Sequence, residues 1–133
     1  MADAYCAVIG NPIAHSLSPP LYQHFAHQVG IKIRYERLCS PVDQFKETVL
    51  AFQAAGGCSL NVTAPFKSLA LELADSASDV AQLAGASNLL LIEADSIQAD
   101  NVDGAGLVKD IQTNWAFDLT GQSVLVLGAV GAV

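Results

Sequence analysis

The sequence predicts an α/β domain, a three-layer sandwich with a mostly parallel, mixed sheet flanked by helices. Three observations predict it. Short apolar runs such as Tyr5 to Ile9 and Leu89 to Ile92 end in Gly, Asn, Pro or acidic residues, as buried strands do. Other segments carry apolar residues at helical spacing. The two kinds alternate along the chain, the order that yields a sheet with helices on both faces.

In order, Tyr5-Cys6-Ala7-Val8-Ile9 reads as a buried strand stopped by Gly10-Asn11-Pro12. A helix is expected from Pro19 or Pro20 to Val29, with Leu21, Phe25 and Val29 on one face and Gly30 as its stop. Ile31 to Leu38 sets Ile31, Ile33 and Tyr35 against Lys32, Arg34 and Glu36, the alternation of a half-buried strand. Val42 to Ala55 has Phe45, Val49 and Phe52 on one helical stripe, closed by Gly56-Gly57. Ser59 to Val62 is a third strand, followed by helices over Phe66 to Ala74 and Asp79 to Leu83. Two strands, Ser87 to Glu93 and Ile97 to Ala99, are expected to pair across Ala94-Asp95-Ser96, and a helix follows from Gly104 to Thr113. Leu119-Thr120-Gly121-Gln122 reads as a linker before a fully apolar strand, Ser123 to Leu127, that runs into Gly128. The opening of a dinucleotide-binding unit has this form. Residues 1–118 are therefore expected to form one domain, and 119–133 the linker and first strand of a second, truncated one.

Composition narrows the function. The 133 residues are 52% hydrophobic and 14% charged, a composition that folds. No apolar run reaches the ~18 residues of a membrane span, and no basic segment precedes the first apolar run as in a secretory leader. A cytoplasmic protein is expected. The net charge of −7, with four lysines and two arginines, argues against nucleic acid as a partner. Any anionic ligand must then be held by local donors. Cys6, Cys39 and Cys58 are odd in number and widely spaced, and read as small core residues rather than disulfides or metal ligands.

Four clusters carry polar groups at the ends of these elements. In Asn11-Pro12-Ile13-Ala14-His15-Ser16-Leu17-Ser18-Pro19, Ser18 reads as a helix cap. Ser16 and Ser18 also suit a second role, as replacement donors to a carboxylate where Pro19 and Pro20 remove backbone N–H groups. In Asn61-Val62-Thr63-Ala64-Pro65-Phe66-Lys67, Thr63 or Ala64 is the expected cap and Pro65 the first helical residue. Lys67 then stands in the first turn against the helix dipole, unless it is simply a solvated lysine. Ala84-Gly85-Ala86-Ser87-Asn88 leads into a strand, with Asn88 as a turn residue. In Asp100-Asn101-Val102-Asp103-Gly104, Asp103 is an expected N-cap. This last cluster lacks the twelve-residue ligand spacing and terminal Glu of a calcium loop, so no metal is expected.

Taken in order, these clusters resemble the N-terminal domain of the shikimate dehydrogenases, whose fold is of the amino-acid-dehydrogenase-like N-terminal type. Gly10 to Pro19 is similar to the family's carboxylate-binding loop, Asn61 to Lys67 to its catalytic lysine motif, Gly85 to Asn88 to its substrate-binding asparagine loop, and Asp100 to Gly104 to its catalytic aspartate motif. The resemblance spans Tyr5 to Val133. It departs at Leu89 and Val102, where the family more often has Thr, and at Val130, where it usually has Gly.

The resemblance implies NADPH-dependent reduction of 3-dehydroshikimate to shikimate, a step toward chorismate and the aromatic amino acids. Lys67 and Asp103 are implied as catalytic, Lys67 as proton donor to the ketone oxygen and Asp103 as its orienting partner. Ser16, Ser18, Asn61, Thr63, Lys67, Asn88 and Asp103 are implied to bind substrate. Gly128, Ala129 and Gly131 are implied as an incomplete NADP(H)-binding turn. The 133-residue chain is then expected to bind shikimate weakly and to be inactive, its apolar run Ser123 to Leu127 either unordered or paired with a second copy, which makes a homodimer one expected assembly. A quinate or dual quinate/shikimate dehydrogenase and a non-catalytic shikimate-binding module stand as alternatives.

Overall fold

The computed structural model describes residues 3–128. In chain order the elements are β1 (Ala4–Gly10), α1 (Ser18–Val29), β2 (Ile33–Cys39), a 3₁₀ turn (Val42–Gln44) leading into α2 (Phe45–Ala54), β3 (Gly57–Val62), α3 (Lys67–Leu73), β4 (Ser76–Ala77), α4 (Asp79–Ala84), β5 (Leu89–Ile92), β6 (Ile97–Asp100) and α5 (Asp103–Asn114). The strands form one sheet of order β2-β1-β3-β5-β6-β4. β1 pairs in parallel with β2 and β3, β5 runs antiparallel to both β3 and β6, and β4 pairs in parallel with β6. The sheet is thus mixed, and the expected β5–β6 hairpin is present.

Alternation along the strands assigns each residue to a face. Ala7 and Ile9 of β1, Leu60 and Val62 of β3, Leu90 and Ile92 of β5, and Ile97 and Ala99 of β6 join Phe45, Val49 and Phe52 of α2 and Phe66 and Ala70 in the main core. On the other face Val8, Ile13 and Tyr35 form a smaller cluster, with Cys6, Tyr22 and Ile33 packed against it. Burying each large apolar side chain contributes about 1.5–3 kcal/mol, so the first face carries most of the stabilisation. Gly57 is required there, because a Cβ at that position would meet the Phe52 ring.

Several expectations need correcting. Ser18 is the first residue of α1 rather than its cap. The cap position is Leu17, and the Ser18 N–H donates to Ser16 Oγ at 3.3 Å. The α3 helix begins two residues after Pro65, because Phe66 N–H first closes a turn on the Thr63 carbonyl at 3.0 Å. Neither Thr63 nor Ala64 caps it. Asp103 likewise opens α5 instead of capping it: the Asn101 side-chain oxygen accepts from Asp103 N–H at 3.1 Å, and the Asp103 carboxylate is engaged elsewhere. The predicted face Leu21, Phe25 and Val29 of α1 stays exposed, although Gly30 does stop that helix in the left-handed conformation at φ 72°. Cys39 and Cys58 are exposed rather than in the core, and Cys6 is only half-buried. Among the described residues no segment pairs with Ser123 to Leu127, and Val124 to Leu127 are exposed. A strand is held by ladder hydrogen bonds, and apolar character alone does not make one.

Candidate functional site

Four chain segments meet at one edge of the sheet because of strand direction. The parallel strands β1 and β3 and the strand β6 end there, while antiparallel β5 begins there. The loop after β1 brings Ser16 and Ser18, the loop after β3 brings Thr63 and Lys67, the entry to β5 brings Asn88, and the exit from β6 brings Asp103. The segments are stitched by backbone bonds. Val62 N–H donates to the Asn88 carbonyl at 2.8 Å, Thr63 N–H to the Ile9 carbonyl at 3.0 Å, and Asn11 N–H to the Ala64 carbonyl at 3.1 Å. Gly10 permits this approach, since a Cβ there would lie 2.6 Å from the Thr63 methyl group.

Lys67, Asn88 and Asp103 are in direct contact. Lys67 Nζ donates to Asp103 Oδ2 at 2.6 Å, and Asn88 Nδ2 donates to Asp103 Oδ1 at 2.6 Å. Both carboxylate oxygens are therefore engaged, and the Asn88 side-chain oxygen is held in turn by the Val102 N–H at 2.9 Å. The Lys67 side chain is 16% exposed and that of Asp103 30%. A pair at that depth is screened less than a surface pair, yet it stays open to a small molecule. Buried neighbours fix its position. Ser87 N–H donates to the Lys67 carbonyl at 2.8 Å, and Asn101 Nδ2 donates to the Ala86 carbonyl at 2.9 Å. An ammonium held on a carboxylate at the open end of a sheet can transfer a proton or stabilise a developing negative oxygen.

Ser16 and Ser18 form a second group, their hydroxyls 3.2 Å apart. Arg37 fixes this loop: its Nε and Nη2 donate to the Ser16 carbonyl at 3.0 and 2.6 Å. Asn61 belongs to a third group, its Oδ1 accepting from the Tyr35 hydroxyl at 2.6 Å. That bond leaves the Asn61 amide N–H groups as its free donors. Burial raises the Tyr35 phenol above its ordinary range, with Tyr22 adding to the shift and a Ser18 hydroxyl contact opposing it. Thr63 is half-buried between the groups. No direct side-chain bond joins the lysine group to the serine pair; they share the sheet edge only.

Sequence reading missed Tyr35, Arg37 and the supporting part of Asn101. A signal existed for two of them. Arg37 is one of two arginines in the chain, and Tyr35 puts a hydroxyl on the inward face of an alternating strand. Gly128 lies at the end of the described residues at φ 83° in open space, and Ala129 and Gly131 lie outside them. The described residues do not gather three His, Cys, Asp or Glu side chains as a metal ion would need, and no described helix is long and apolar enough to cross a membrane.

A helix-flanked mixed sheet with a lysine–carboxylate–amide group and paired hydroxyls at its strand ends defines an α/β domain with a polar site at the sheet edge. Residues 8–90 match the family described as the shikimate dehydrogenase substrate binding domain. The chain belongs to that family. It is 51% identical to the shikimate dehydrogenase (NADP(+)) of Halorhodospira halophila over 133 residues, 99% of this chain and 49% of the relative. The Verminephrobacter eiseniae shikimate dehydrogenase (NADP(+)) is 52% identical over 132 residues, covering 98% and 46%. Among solved structures, an Ael1 enzyme from Pseudomonas putida superposes with a TM-score of 0.92 at 44% identity, covering 98% of this chain and 48% of that one. Shikimate 5-dehydrogenase from Thermus thermophilus in complex with shikimate gives 0.88 at 32% identity, covering 97% and 49%. The chain thus spans about half the length of the curated relatives it matches.

Proposed function

We propose that this chain is the substrate-binding half of an NADP-dependent shikimate dehydrogenase, acting on shikimate and 3-dehydroshikimate in a reducing, cytoplasmic compartment. The observation that carries the reading is the Lys67–Asp103–Asn88 group, in which an ammonium is held at 2.6 Å on a carboxylate that an amide also grips. When the ketone of 3-dehydroshikimate becomes an alcohol, negative charge gathers on its oxygen. Lys67 donates a proton to that oxygen, and Asp103, fixed by Asn88 and by Asn101 beneath it, keeps the ammonium aimed. Ser16 and Ser18 take the ligand carboxylate, with the loop pinned by Arg37, whose charge also favours an anion nearby. Asn61 and Thr63 take ring hydroxyls, together with Asn88 and Asp103. The chemistry assigned to these residues is substrate binding and proton handling. The three free thiols accord with the reducing compartment, and a homodimer accords with the exposed side chains of Val124 to Leu127.

A second reading, a shikimate-binding module without turnover, is favoured by the Lys67–Asp103–Asn88 group, whose bonds all form within the one sheet. One experiment separates the readings. Calorimetry of the chain with millimolar shikimate is expected to show weak binding that Ser16→Ala reduces. The same 133 residues joined to the C-terminal half of the Halorhodospira halophila relative are expected to oxidise NADPH with 3-dehydroshikimate. In that joined enzyme Lys67→Ala should lower kcat by roughly 10²–10⁴-fold with little change in KM. A loss under about tenfold would remove Lys67 from the chemistry, and a flat calorimetric trace would remove the preformed site.

A further inference from the structure

Cys6 and Cys58 lie on neighbouring strands with their sulfurs 3.7 Å apart. Chance alternation does not place them so. Tyr5 of β1 pairs with Gly57 and Cys6 pairs with Ser59, so Cys58 is the extra residue of a bulge in β3. Strict alternation would turn Cys58 toward the face of Leu60 and Val62. The bulge turns it instead toward Cys6, which packs against the cluster of Val8, Ile13 and Tyr35 on the opposite face. Without a ladder partner in β1, Cys58 is also freer to adjust than its neighbours. A disulfide needs about 2.05 Å between sulfurs, an approach within reach of side-chain rotation from the observed separation.

The two thiols differ in environment as an attacked and a resolving cysteine do. Cys58 is exposed, with its Sγ donating to the Tyr5 carbonyl at 3.2 Å. Cys6 is half-buried, and burial, reinforced by the Cys58 contact, pushes its thiol up to about 12. Cys6 therefore stays protonated while Cys58 meets solvent. Cys39 supplies an internal control. It too is exposed, but it pairs with Gly10, four residues along β1 from Cys6, or about 13 Å at strand spacing.

We propose that Cys6 and Cys58 form a peroxide-sensitive dithiol site that closes to a reversible disulfide between β1 and β3. The Cys58 thiolate attacks a hydroperoxide such as hydrogen peroxide. An S–O bond forms, the O–O bond breaks, and the departing hydroxide leaves as water after taking a proton. Cys6 sulfur then attacks the Cys58 sulfenic acid. The S–S bond forms as the S–O bond breaks, and the Cys6 proton passes to the leaving oxygen, giving a second water. Two thiols are oxidised and one peroxide is reduced. No free Cys6 thiolate is needed, because its proton leaves in the same step, and the adjacent sulfur gives the reaction an intramolecular advantage.

The site is independent of the shikimate reading and is tested on the 133-residue chain itself. Trypsin places Cys6, Cys39 and Cys58 on separate peptides, 1–32, 38–46 and 47–67. Reduced protein is treated with stoichiometric hydrogen peroxide, blocked with N-ethylmaleimide, digested and weighed. The expected product joins the Cys6 and Cys58 peptides at about 2 Da below their summed mass, with Cys39 fully alkylated, and dithiothreitol restores both sites. Cys39→Ser leaves the linkage unchanged. Cys6→Ser halts Cys58 at the sulfenic acid, which dimedone traps. Full alkylation of Cys58 after peroxide would overturn the proposal. So would linkage of Cys58 only to another chain, or passage of Cys58 to the sulfinic acid as fast in the wild type as in Cys6→Ser.

Discussion

Helices α1 and α2 have similar apolar stripes and opposite fates. In α2, Phe45, Val49 and Phe52 are 3%, 0% and 4% exposed. In α1, Leu21, Phe25 and Val29 are 51%, 50% and 69% exposed. The adjacent stripe of α1 turns inward instead: Pro19 and Ala26 are buried, and Tyr22 stacks on Tyr35 with ring centroids 4.6 Å apart. Small Ala26 lets the helix approach the sheet, while Tyr22 fills the gap over β2. Periodicity therefore locates an apolar stripe, but the groove decides which of two neighbouring stripes enters it. The α2 side offers a broad apolar surface from four strands, whereas the α1 side offers Val8, Ile13 and Tyr35.

Substitutions on the two sides sharpen or break that contrast. The largest effect is expected from Phe52→Ala, which removes a ring packed at 4.6 Å on Tyr5 and seated over Gly57. Such a cavity costs about 3–5 kcal/mol, read from urea unfolding of the chain. A cost near 1 kcal/mol would mean that the α2 face is not the principal core.

A smaller effect is expected at the rim of the same face. The Tyr5 hydroxyl donates to Glu36 at 2.9 Å, and Arg34 lies 4.2 Å over the Tyr5 ring while bonding Glu36. The Arg34 hydrogen bond, followed by that of Tyr5, holds the Glu36 carboxyl below its ordinary range. A carboxyl depressed on folding contributes stability above its unfolded-state pKa, and that stability is lost as pH falls through the folded value. Glu36→Gln should therefore cost at most about 1 kcal/mol at neutral pH, since the group is exposed and screened. The difference should vanish as acid is added, and a pH-independent difference would assign the cost to packing instead of charge.

The smallest effect is expected from Phe25→Ser on the exposed stripe of α1. Its one aromatic neighbour within the inward stripe is Tyr22, edge-on at 6.1 Å. Serine and phenylalanine have similar helix propensities, so the change should stay within about 0.5 kcal/mol. A loss of several kcal/mol in dilute solution would show that this stripe is covered, and the contrast between the two helices would fail.

By itself the sequence determined the order of the elements apart from the two-residue strand β4, the mixed character of the sheet, the β5–β6 hairpin and the polar segments that end the strands. These follow from local rules: strand and helix periods, glycine stops and turn residues act over a few positions. It also supplied Lys67, Asn88 and Asp103 as candidates, because their types are unusual where they stand. What it left undecided is contact across distance. Asp103 reads as a cap until the fold brings Lys67, 36 residues away in sequence, to its carboxylate. Val102 stands at the cap position instead, and the Asn101 side-chain oxygen accepts from the Asp103 N–H. Tyr35 and Arg37 acquire their places at Asn61 and Ser16 only once β2 pairs with β1. Cys6 and Cys58 meet because one bulge in β3 reverses a side chain. The apolar run Ser123 to Leu127 shows the same limit from the other side. Its composition suits a strand, but a strand exists only where a neighbouring backbone supplies the other half of each hydrogen bond.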